Sequence, residues 1–149
     1  MDVDIREATI KDIDKGLLNV FIEGYRFHQN GRPDVFENTS DEILKEELIK
    51  NLEEFRTLLI LDNENVVGYI AYEIKAKHNK KLHVDQLVIL EKYRGHGLGK
   101  KLINAVRDIG IKENCDRIEL DCWLFNTSAL GMYEHIGFKK QRILYEMKL

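Results

Sequence analysis

The stretch Tyr93-Arg94-Gly95-His96-Gly97-Leu98-Gly99-Lys100-Lys101 lies between a predicted strand and a predicted helix. Its three alternating glycines keep side chains out of the way, so that backbone N–H groups can approach a ligand closely. A helix beginning here directs its unpaired N–H groups and the positive end of its dipole at an anion. Four cations, Lys92, Arg94, Lys100 and Lys101, add positive charge in an otherwise acidic chain. The stretch therefore predicts a cradle for a diphosphate, against the plainer alternative of a solvated glycine-rich turn.

The glycine spacing separates this turn from two common nucleotide-binding motifs. A Walker A loop requires GxxxxGK[ST], whereas this chain has arginine at position 94 and lysine at position 101. A dinucleotide-binding fingerprint requires GxGxxG, whereas Gly95, Gly97 and Gly99 give GxGxG. Glu119 follows at the distance of a ribose ligand, but the turn comes after a run of predicted antiparallel strands. ATP and NAD are therefore disfavoured as ligands.

Hydrophobic periodicity along the rest of the chain predicts the order β-α-α-β-β-β-α-β-α-β. The strands are predicted at 3–8, 57–61, 66–75, 80–90, 117–122 and 144–149. The first helix carries an apolar stripe from Ile13 to Tyr25 and gives way to a loop over 28–38. Thr39 and Glu42 fit a capping box for the second helix, and Asn126 and Gly137 fit the two ends of the last one. A helix between the strands at 80–90 and 117–122 permits one parallel pair in a mostly antiparallel sheet, which makes the fold class α/β (α+β).

Composition excludes several other classes of protein. Hydrophobic residues make up 44% of the 149 residues and charged residues 33%, which suits one ordered domain. A net charge of −3 argues against a nucleic-acid partner. The charged amino terminus lacks a secretory pattern, and no window approaches the ~20 apolar residues of a membrane span. Two cysteines, Cys115 and Cys122, lack zinc-knuckle spacing. We therefore expect a cytoplasmic protein with no metal, no membrane and no nucleic acid.

The run Arg94-Gly95-His96-Gly97-Leu98-Gly99 resembles the R/Q-x-x-G-x-G/A signature of the GNAT-type N-acetyltransferases, which bind acetyl-CoA. The preceding Val84-Asp85-Gln86-Leu87-Val88-Ile89 is similar to that family's central strand. Asn126, Ala129, Leu130, Tyr133 and Glu134, followed by Gly137-Phe138, are similar to its later N…A…LYE…GF stretch. The resemblance covers about residues 57–149, and the later half is most similar to the polyamine and small-amine branch.

The resemblance implies how acetyl-CoA is held. The main chain of Leu87, Val88 and Ile89 pairs with the pantetheine arm as an added strand does, where two neighbouring strands splay apart. Asn126 caps its helix and contacts the CoA arm. The residues that surround the diphosphate are Arg94, Gly95, His96, Gly97, Leu98, Gly99 and Lys100.

The resemblance also implies an acid and a base for acetyl transfer to an amine. Tyr133 matches the tyrosine that protonates the departing sulfur, and Asp85 aligns with the carboxylate that accepts the amine proton, often through water. Period-2 alternation places His83, Asp85, Leu87 and Ile89 on one face, and apolar neighbours raise the pKa of a carboxyl group. His83 is the alternative base, and an ordinary core tyrosine and a solvated aspartate are the plain alternatives. Cys122, on an apolar face, is expected to be an inert thiol.

These observations predict a single domain over residues 1–149, with 1–56 on the substrate side and 57–149 as the acetyl-CoA-binding core. Tyr25, His28, Asp34 and Phe36 are the candidate substrate residues, because an acidic and aromatic set suits a cationic amine. The predicted activity is direct acetyl transfer to a primary amine of a small molecule in a ternary complex. The alternatives are a protein N-terminal or lysine acetyltransferase and a non-catalytic acyl-CoA-binding sensor. The resemblance also allows a homodimer.

Overall fold

A computed structural model describes residues 1–149 and contains one five-stranded sheet with the order β1-β2-β3-β4-β5. The strands are β1 (Val3–Glu7), β2 (Arg56–Asp62), β3 (Asn65–Lys75), β4 (Lys81–Ile89) and β5 (Arg117–Leu120). The helices are α1 (Leu17–Gly31), α2 (Asp41–Glu54), α3 (Leu98–Lys112) and α4 (Thr127–Ile136), with 3-10 turns at Ile10–Lys15 and Glu91–Tyr93. Strands β1 to β4 are antiparallel, and β4 pairs with β5 in parallel. The predicted mixed α/β sheet with one parallel pair is confirmed.

Two apolar clusters cover the two faces of this sheet. Helices α1 and α2 bury Leu17, Val20 and Leu48 against one face, and α3 and α4 bury Leu102 and Tyr133 against the other. The alternation along β3 divides its side chains between the clusters, with Ile70 and Tyr72 towards α3 and with Tyr69 and Ala71 towards α1. A strand buried on both faces explains why β3 is continuously apolar in sequence.

A β-bulge in β4 interrupts the alternation that the sequence suggested. Ala71 pairs with Gln86 and Tyr72 pairs with Val84, so Asp85 has no partner on β3. An extra residue reverses the facing of every side chain beyond it. Val84 and Leu87 therefore pack in the same cluster although their separation is odd. The prediction that His83 shares a face with Leu87 and Ile89 is wrong for this reason.

Beyond the bulge, β4 separates from β5. The register between the two strands ends at the pair Val84 and Leu120, and no strand lies beside 86–89 on that side. The other side of the same segment pairs with β3 from Gly68 to Ala71. Backbone groups of 86–89 are therefore available at an open edge inside the sheet.

Helix α1 is longer than its sequence indicated, and α2 has a different cap. Helix α1 continues through His28 to Gly31. A Cβ at Gly31 would lie 2.3 Å from a ring atom of Phe125, and glycine avoids that overlap. His28, predicted to lie in a loop, is therefore helical. The Ser40 hydroxyl, and not Thr39, accepts a hydrogen bond from the Ile43 N–H at 3.3 Å.

The predicted final strand over 144–149 is wrong. Residues 139–149 form no regular secondary structure, and β5 is consequently an edge of the sheet. Regular strand structure needs a neighbouring strand to accept its hydrogen bonds, and none is present beside this segment. No helix combines the length and the apolar character that a membrane crossing demands.

Candidate active site

A cavity of about 450 Å³ opens where β4 and β5 diverge. The bulged segment of β4 forms its floor, α1 and α2 form one wall, and the segment after β5 together with α4 forms the other. A second cavity of about 410 Å³, bounded by Ala8, Phe55 and Tyr72, contains none of the predicted site residues.

Most of the predicted catalytic and substrate residues line the first cavity. They are Tyr25, His28, Phe36, Asp85 and Tyr133. Three of the predicted cofactor-binding residues, Leu87, Val88 and Asn126, line it as well. Asp34 does not line it, because its carboxylate accepts two hydrogen bonds of 2.9 Å from Arg32 on the loop after α1. His83 lies outside the cavity as well, with Nδ1 3.2 Å from Glu119 Oε1. Lys81 is 2.9 Å from the same oxygen, and these partners hold the pKa of Glu119 at about 2.

Tyr133 extends from α4 into the cavity wall. Its side chain is almost fully buried and packs edge-on against Phe138, with ring centroids 5.6 Å apart. Burial raises the pKa of the phenol, and the neighbouring Cys122 adds to the rise. The hydroxyl makes no hydrogen bond within the protein, yet it is not an enclosed unsatisfied group. Tyr133 is therefore a protonated donor with its hydrogen bond free.

Asp85 lies at the bulge on the cavity floor. Desolvation by the surrounding protein raises the pKa of its carboxyl group, although the side chain retains contact with water. A hydrogen bond from the Gln86 side-chain amide and the charge of His83 both lower the pKa of Asp85 and so oppose the effect of desolvation. Gln86 is itself held by the buried Tyr69 hydroxyl, which donates to its side-chain oxygen. The bulge thus supplies a carboxylate with an increased affinity for a proton at a fixed position.

Glycine occupies its three positions in the 93–101 stretch for different structural reasons. Gly95 and Gly97 have φ of +81° and +74°, and a Cβ at either position would meet nothing within 4 Å. Backbone conformation therefore explains these two glycines, and space for a ligand lies beside them. A Cβ at Gly99 would lie 2.8 Å from Met132 Sδ, so this glycine permits α3 to pack against α4. This packing gives Gly99 a structural role that its spacing in the sequence did not predict.

Charged side chains surround the same turn. The Arg94 guanidinium donates from Nε to the Ile89 carbonyl at 3.1 Å and lies 5.5 Å from the Phe27 ring centroid. Its terminal nitrogens make no hydrogen bond within the protein. His96 Nδ1 lies 3.0 Å from the Arg94 carbonyl. Helix α3 begins at Leu98 directly after Gly97, so the N–H groups of its first turn face the turn that carries these cations.

Asn126 caps α4 as predicted, because its side-chain oxygen accepts a hydrogen bond from the Ala129 N–H at 3.3 Å. Four residues before it, the half-buried Cys122 also lines the cavity, and burial raises the pKa of its thiol. A raised pKa disfavours the reactive thiolate, which supports the expectation of an inert cysteine.

An aromatic cluster at the cavity mouth was not predicted from sequence. Trp123 stacks on Phe125 with centroids 6.2 Å apart, and Phe36 meets the Trp123 ring at 5.8 Å. Glu47 of α2 and Asp121 also line the cavity and were not singled out. The Trp123-Leu124-Phe125 run between β5 and α4 was the available signal, since large apolar residues in a loop require a partner.

These features are shared with a known family. Residues 21–138 match the acetyltransferase (GNAT) family. The chain belongs to that family. GNAT proteins use acetyl-CoA as acyl donor, and the open edge of β4, the space beside Gly95 and Gly97 and the start of α3 fit a diphosphate-bearing thioester.

Individual relatives differ in what they act on. The chain is 30% identical over 100 residues to N-alpha-acetyltransferase 30 of Saccharomyces cerevisiae, which covers 62% of this chain and 57% of that protein. The chain thus spans little more than half the length of this relative. The BH1408 tetramutant structure from Bacillus halodurans superposes with a TM-score of 0.84 at 22% identity, covering 98% of this chain and 99% of that one. The aminoglycoside N-acetyltransferase AAC(6′)-Iy, solved in complex with CoA, gives a TM-score of 0.73 at 16% identity, covering 98% and 94%.

Proposed function

We propose that this chain is an N-acetyltransferase that moves an acetyl group from acetyl-CoA to a primary amine by direct transfer in a ternary complex. One observation carries the proposal: a proton acceptor, Asp85, and a proton donor, Tyr133, line one cavity beside the open edge of β4. Residues 1–56 form the acceptor side of a single domain, and 57–149 form the donor side. Acetyl-CoA supplies an acyl group on a sulfur leaving group.

On the donor side, backbone groups and charged side chains bind acetyl-CoA. Main-chain groups of Leu87, Val88 and Ile89 pair with the pantetheine arm, since no strand satisfies them on the β5 side. The N–H groups at Gly95 to Lys100 and the Arg94 guanidinium bind the diphosphate, and His96 borders it. Asn126, at the start of α4, contacts the arm from the opposite wall.

The chemical step removes two protons from the acceptor ammonium and delivers one to the sulfur. Asp85, directly or through water, accepts a proton from the acceptor ammonium, because only the free amine has an electron pair for the carbonyl carbon. A C–N bond then forms as the C–S bond breaks. Tyr133 donates its phenolic proton to the departing sulfur, and a phenol with a raised pKa remains protonated until that moment. The second proton of the nitrogen passes through water to the Tyr133 phenolate, and Asp85 releases its proton to solvent, so both groups return to their starting states.

The acceptor side favours a cation with an apolar portion. Three carboxylates, Glu47, Asp85 and Asp121, line the cavity, and no lysine or arginine does. Tyr25, His28 and Phe36 supply aromatic faces on the same side, and aromatic faces attract ammonium groups. A small-molecule amine is the proposed acceptor. A protein α-amino group is the second candidate, favoured by the similarity to N-alpha-acetyltransferase 30.

Thiol release from acetyl-CoA, measured with polyamines, aminoglycosides, amino acids and N-terminal peptides, tests the function and ranks the acceptors. With the best acceptor, Tyr133→Phe should lower kcat by about 10²-fold or more while the KM for acetyl-CoA changes little. Tyr72→Phe is the matched control, since Tyr72 is also buried with a hydroxyl that has no protein partner but lies outside this cavity. Absence of acceptor-dependent thiol release, or equal kcat values for wild type and Tyr133→Phe, would contradict the proposal.

A further inference from the structure

The position of the Asp85 carboxylate depends on a contact beyond its own strand pairing. The bulge leaves Asp85 without a partner on β3, and its side chain is in contact with water. A carboxylate surrounded only by water changes rotamer readily, whereas proton transfer requires it within hydrogen-bond reach of the acceptor. The next residue, Gln86, lines the same cavity and supplies a fixed contact.

Gln86 is held across the sheet by Tyr69. It pairs with Ala71 on β3, so its side chain lies on the α1 side of the sheet, where Ala71 and Tyr69 are buried. Tyr69 is two residues from Ala71 and is therefore a diagonal neighbour of Gln86 on that face. Its hydroxyl donates a hydrogen bond to Gln86 Oε1, and it makes no other hydrogen bond within the protein.

The hydrogen bonds among these three side chains run in one direction. An ionised carboxylate only accepts, so the NH₂ group of Gln86 is the end that donates to Asp85. The amide oxygen then faces Tyr69, whose O–H is the donor. Hydrogen bonds in such a chain polarise one another, and a bond to a charged group is stronger than one between neutral groups. The chain therefore favours one orientation of Gln86 and the ionised form of Asp85.

Tyr69 is a rigid origin for this chain. It is 3% exposed, and its ring packs against Phe21 of α1 with centroids 6.5 Å apart. Burial raises the pKa of the phenol, so the hydroxyl stays protonated and able to donate. We propose that Tyr69 is a positioning residue for acetyl transfer: through the Gln86 amide it holds the Asp85 carboxylate where the acceptor ammonium delivers its proton. The inference rests on the proposed function, in which Asp85 is the base.

Other ionisable groups near Asp85 stay in place when only Tyr69 is altered. The charges of His83 and Lys75 lower the pKa of Asp85, and the charge of Glu73 raises it. The ionisable side chains that line the cavity from the other elements are Tyr25, His28, Glu47, Asp121, Cys122 and Tyr133. Removal of the Tyr69 hydroxyl leaves each of these groups present, so a change in the titration of Asp85 reports on the chain.

Carbon-13 NMR of the carboxyl groups follows the ionisation of Asp85 in the protein without substrate. Tyr69→Phe keeps the buried ring and removes the hydroxyl, so Asp85 should titrate at higher pH than in wild type. Tyr72→Phe is the matched control, because Tyr72 lies on the same strand, is equally buried and has a hydroxyl without a protein partner. It should titrate as wild type does. Identical titrations of Asp85 in wild type and Tyr69→Phe would overturn the proposal.

A double-mutant cycle shows whether Tyr69 acts through Gln86. Gln86→Leu should move the titration of Asp85 as Tyr69→Phe does, and the double variant should move it no further. Gln86→Leu also leaves the buried Tyr69 hydroxyl without a partner, so its melting temperature should fall, and the addition of Tyr69→Phe should reverse most of that fall. Additive shifts in the titration, or a double variant no more stable than Gln86→Leu, would overturn the chain.

Kinetics with the best acceptor connects the chain to the reaction. Tyr69→Phe should lower kcat by about 3- to 10-fold at pH 7 and leave the KM for acetyl-CoA unchanged. The acid limb of kcat/KM should move to higher pH together with the NMR titration. A shifted titration without acetylation of any amine would support the chain and contradict the proposed function. A shifted titration with an unmoved acid limb in an active enzyme would overturn the positioning role alone.

Discussion

Asp85 shows how one inserted residue determines the chemistry of a cavity. Without the bulge, position 85 would pair with β3 and its carboxylate would follow the ordinary alternation of the strand. Because of the bulge, Asp85 has no partner on β3 and lies on the cavity floor, where desolvation raises the pKa of its carboxyl group. A raised pKa makes the carboxylate a better proton acceptor near neutral pH, which is the property that amine deprotonation requires.

Asp85→Asn should lower kcat/KM by about 10²-fold and remove the acid limb of the pH profile. In wild type, activity should fall as pH drops through the raised pKa, because the protonated carboxyl group accepts no proton. The effect of the substitution on stability has the opposite sign. When the pKa of a carboxyl group is raised in the folded state, ionisation of that group above its pKa lowers the free energy of unfolding. Asp85→Asn should therefore not lower the melting temperature at pH 7. Asp108→Asn, exposed on α3, is the control. An acid limb that persists in Asp85→Asn would assign the base to another group.

At the scale of elements, the buried carboxylate of Asp12 links β1 to the 3-10 turn that precedes α1. Asp12, 2% exposed, accepts hydrogen bonds from Arg6 at 2.7 and 3.0 Å and from the Thr9 N–H at 2.7 Å. The Arg6 guanidinium is the largest contribution that holds the Asp12 pKa at about 2. The pair fixes the first strand against the turn that leads into the helix.

Asp12→Asn should lower the free energy of unfolding by about 2 kcal/mol at pH 7. The folded pKa is depressed, so this contribution is present above pH 3.8 and is lost as pH falls towards 2. Chemical denaturation of wild type and variant at pH 7 and at pH 2 should therefore give curves that differ at the first pH and converge at the second. Asp14→Asn is the control, since Asp14 is 82% exposed. An equal difference at both pH values would assign the effect to packing.

How far the sequence predicts each element depends on whether its cause is local. Helix α4 is predictable because its cap, Asn126, and its stop, Gly137, are neighbours of the helix itself. The need for glycine at position 31 depends on the ring of Phe125, which is remote in sequence. The bulge at Asp85 depends on the register with β3. The strand pattern over 144–149 is present in the sequence, but no partner strand in this chain completes it.

The whole molecule separates basic side chains at one region of its surface from carboxylates at another, which suits the two ligands of the proposed function. Lys92, Arg94, Lys100 and Lys101 surround the turn before α3, whereas the cavity carries only carboxylates besides His28. An anionic donor and a cationic acceptor are therefore attracted to different regions of one surface. The open edge of β4 joins the two regions, and under the proposed function a thioester held at the turn would extend along it to the carboxylate at the bulge.

Binding at the turn should stabilise the whole fold by mass action. CoA at 100 times its Kd adds about 2.7 kcal/mol, which corresponds to a rise of about 5–10 °C in the melting temperature of a chain of this size. Gly97→Ala should reduce that rise, because an alanine methyl enters the space beside the turn and the φ of +74° disfavours alanine. Gly131→Ala is the matched control, since its Cβ also meets nothing within 4 Å and its φ is ordinary. Pantetheine lacks the diphosphate, so its smaller shift should be the same in all three proteins. Equal CoA shifts in wild type and Gly97→Ala would show that the diphosphate lies elsewhere.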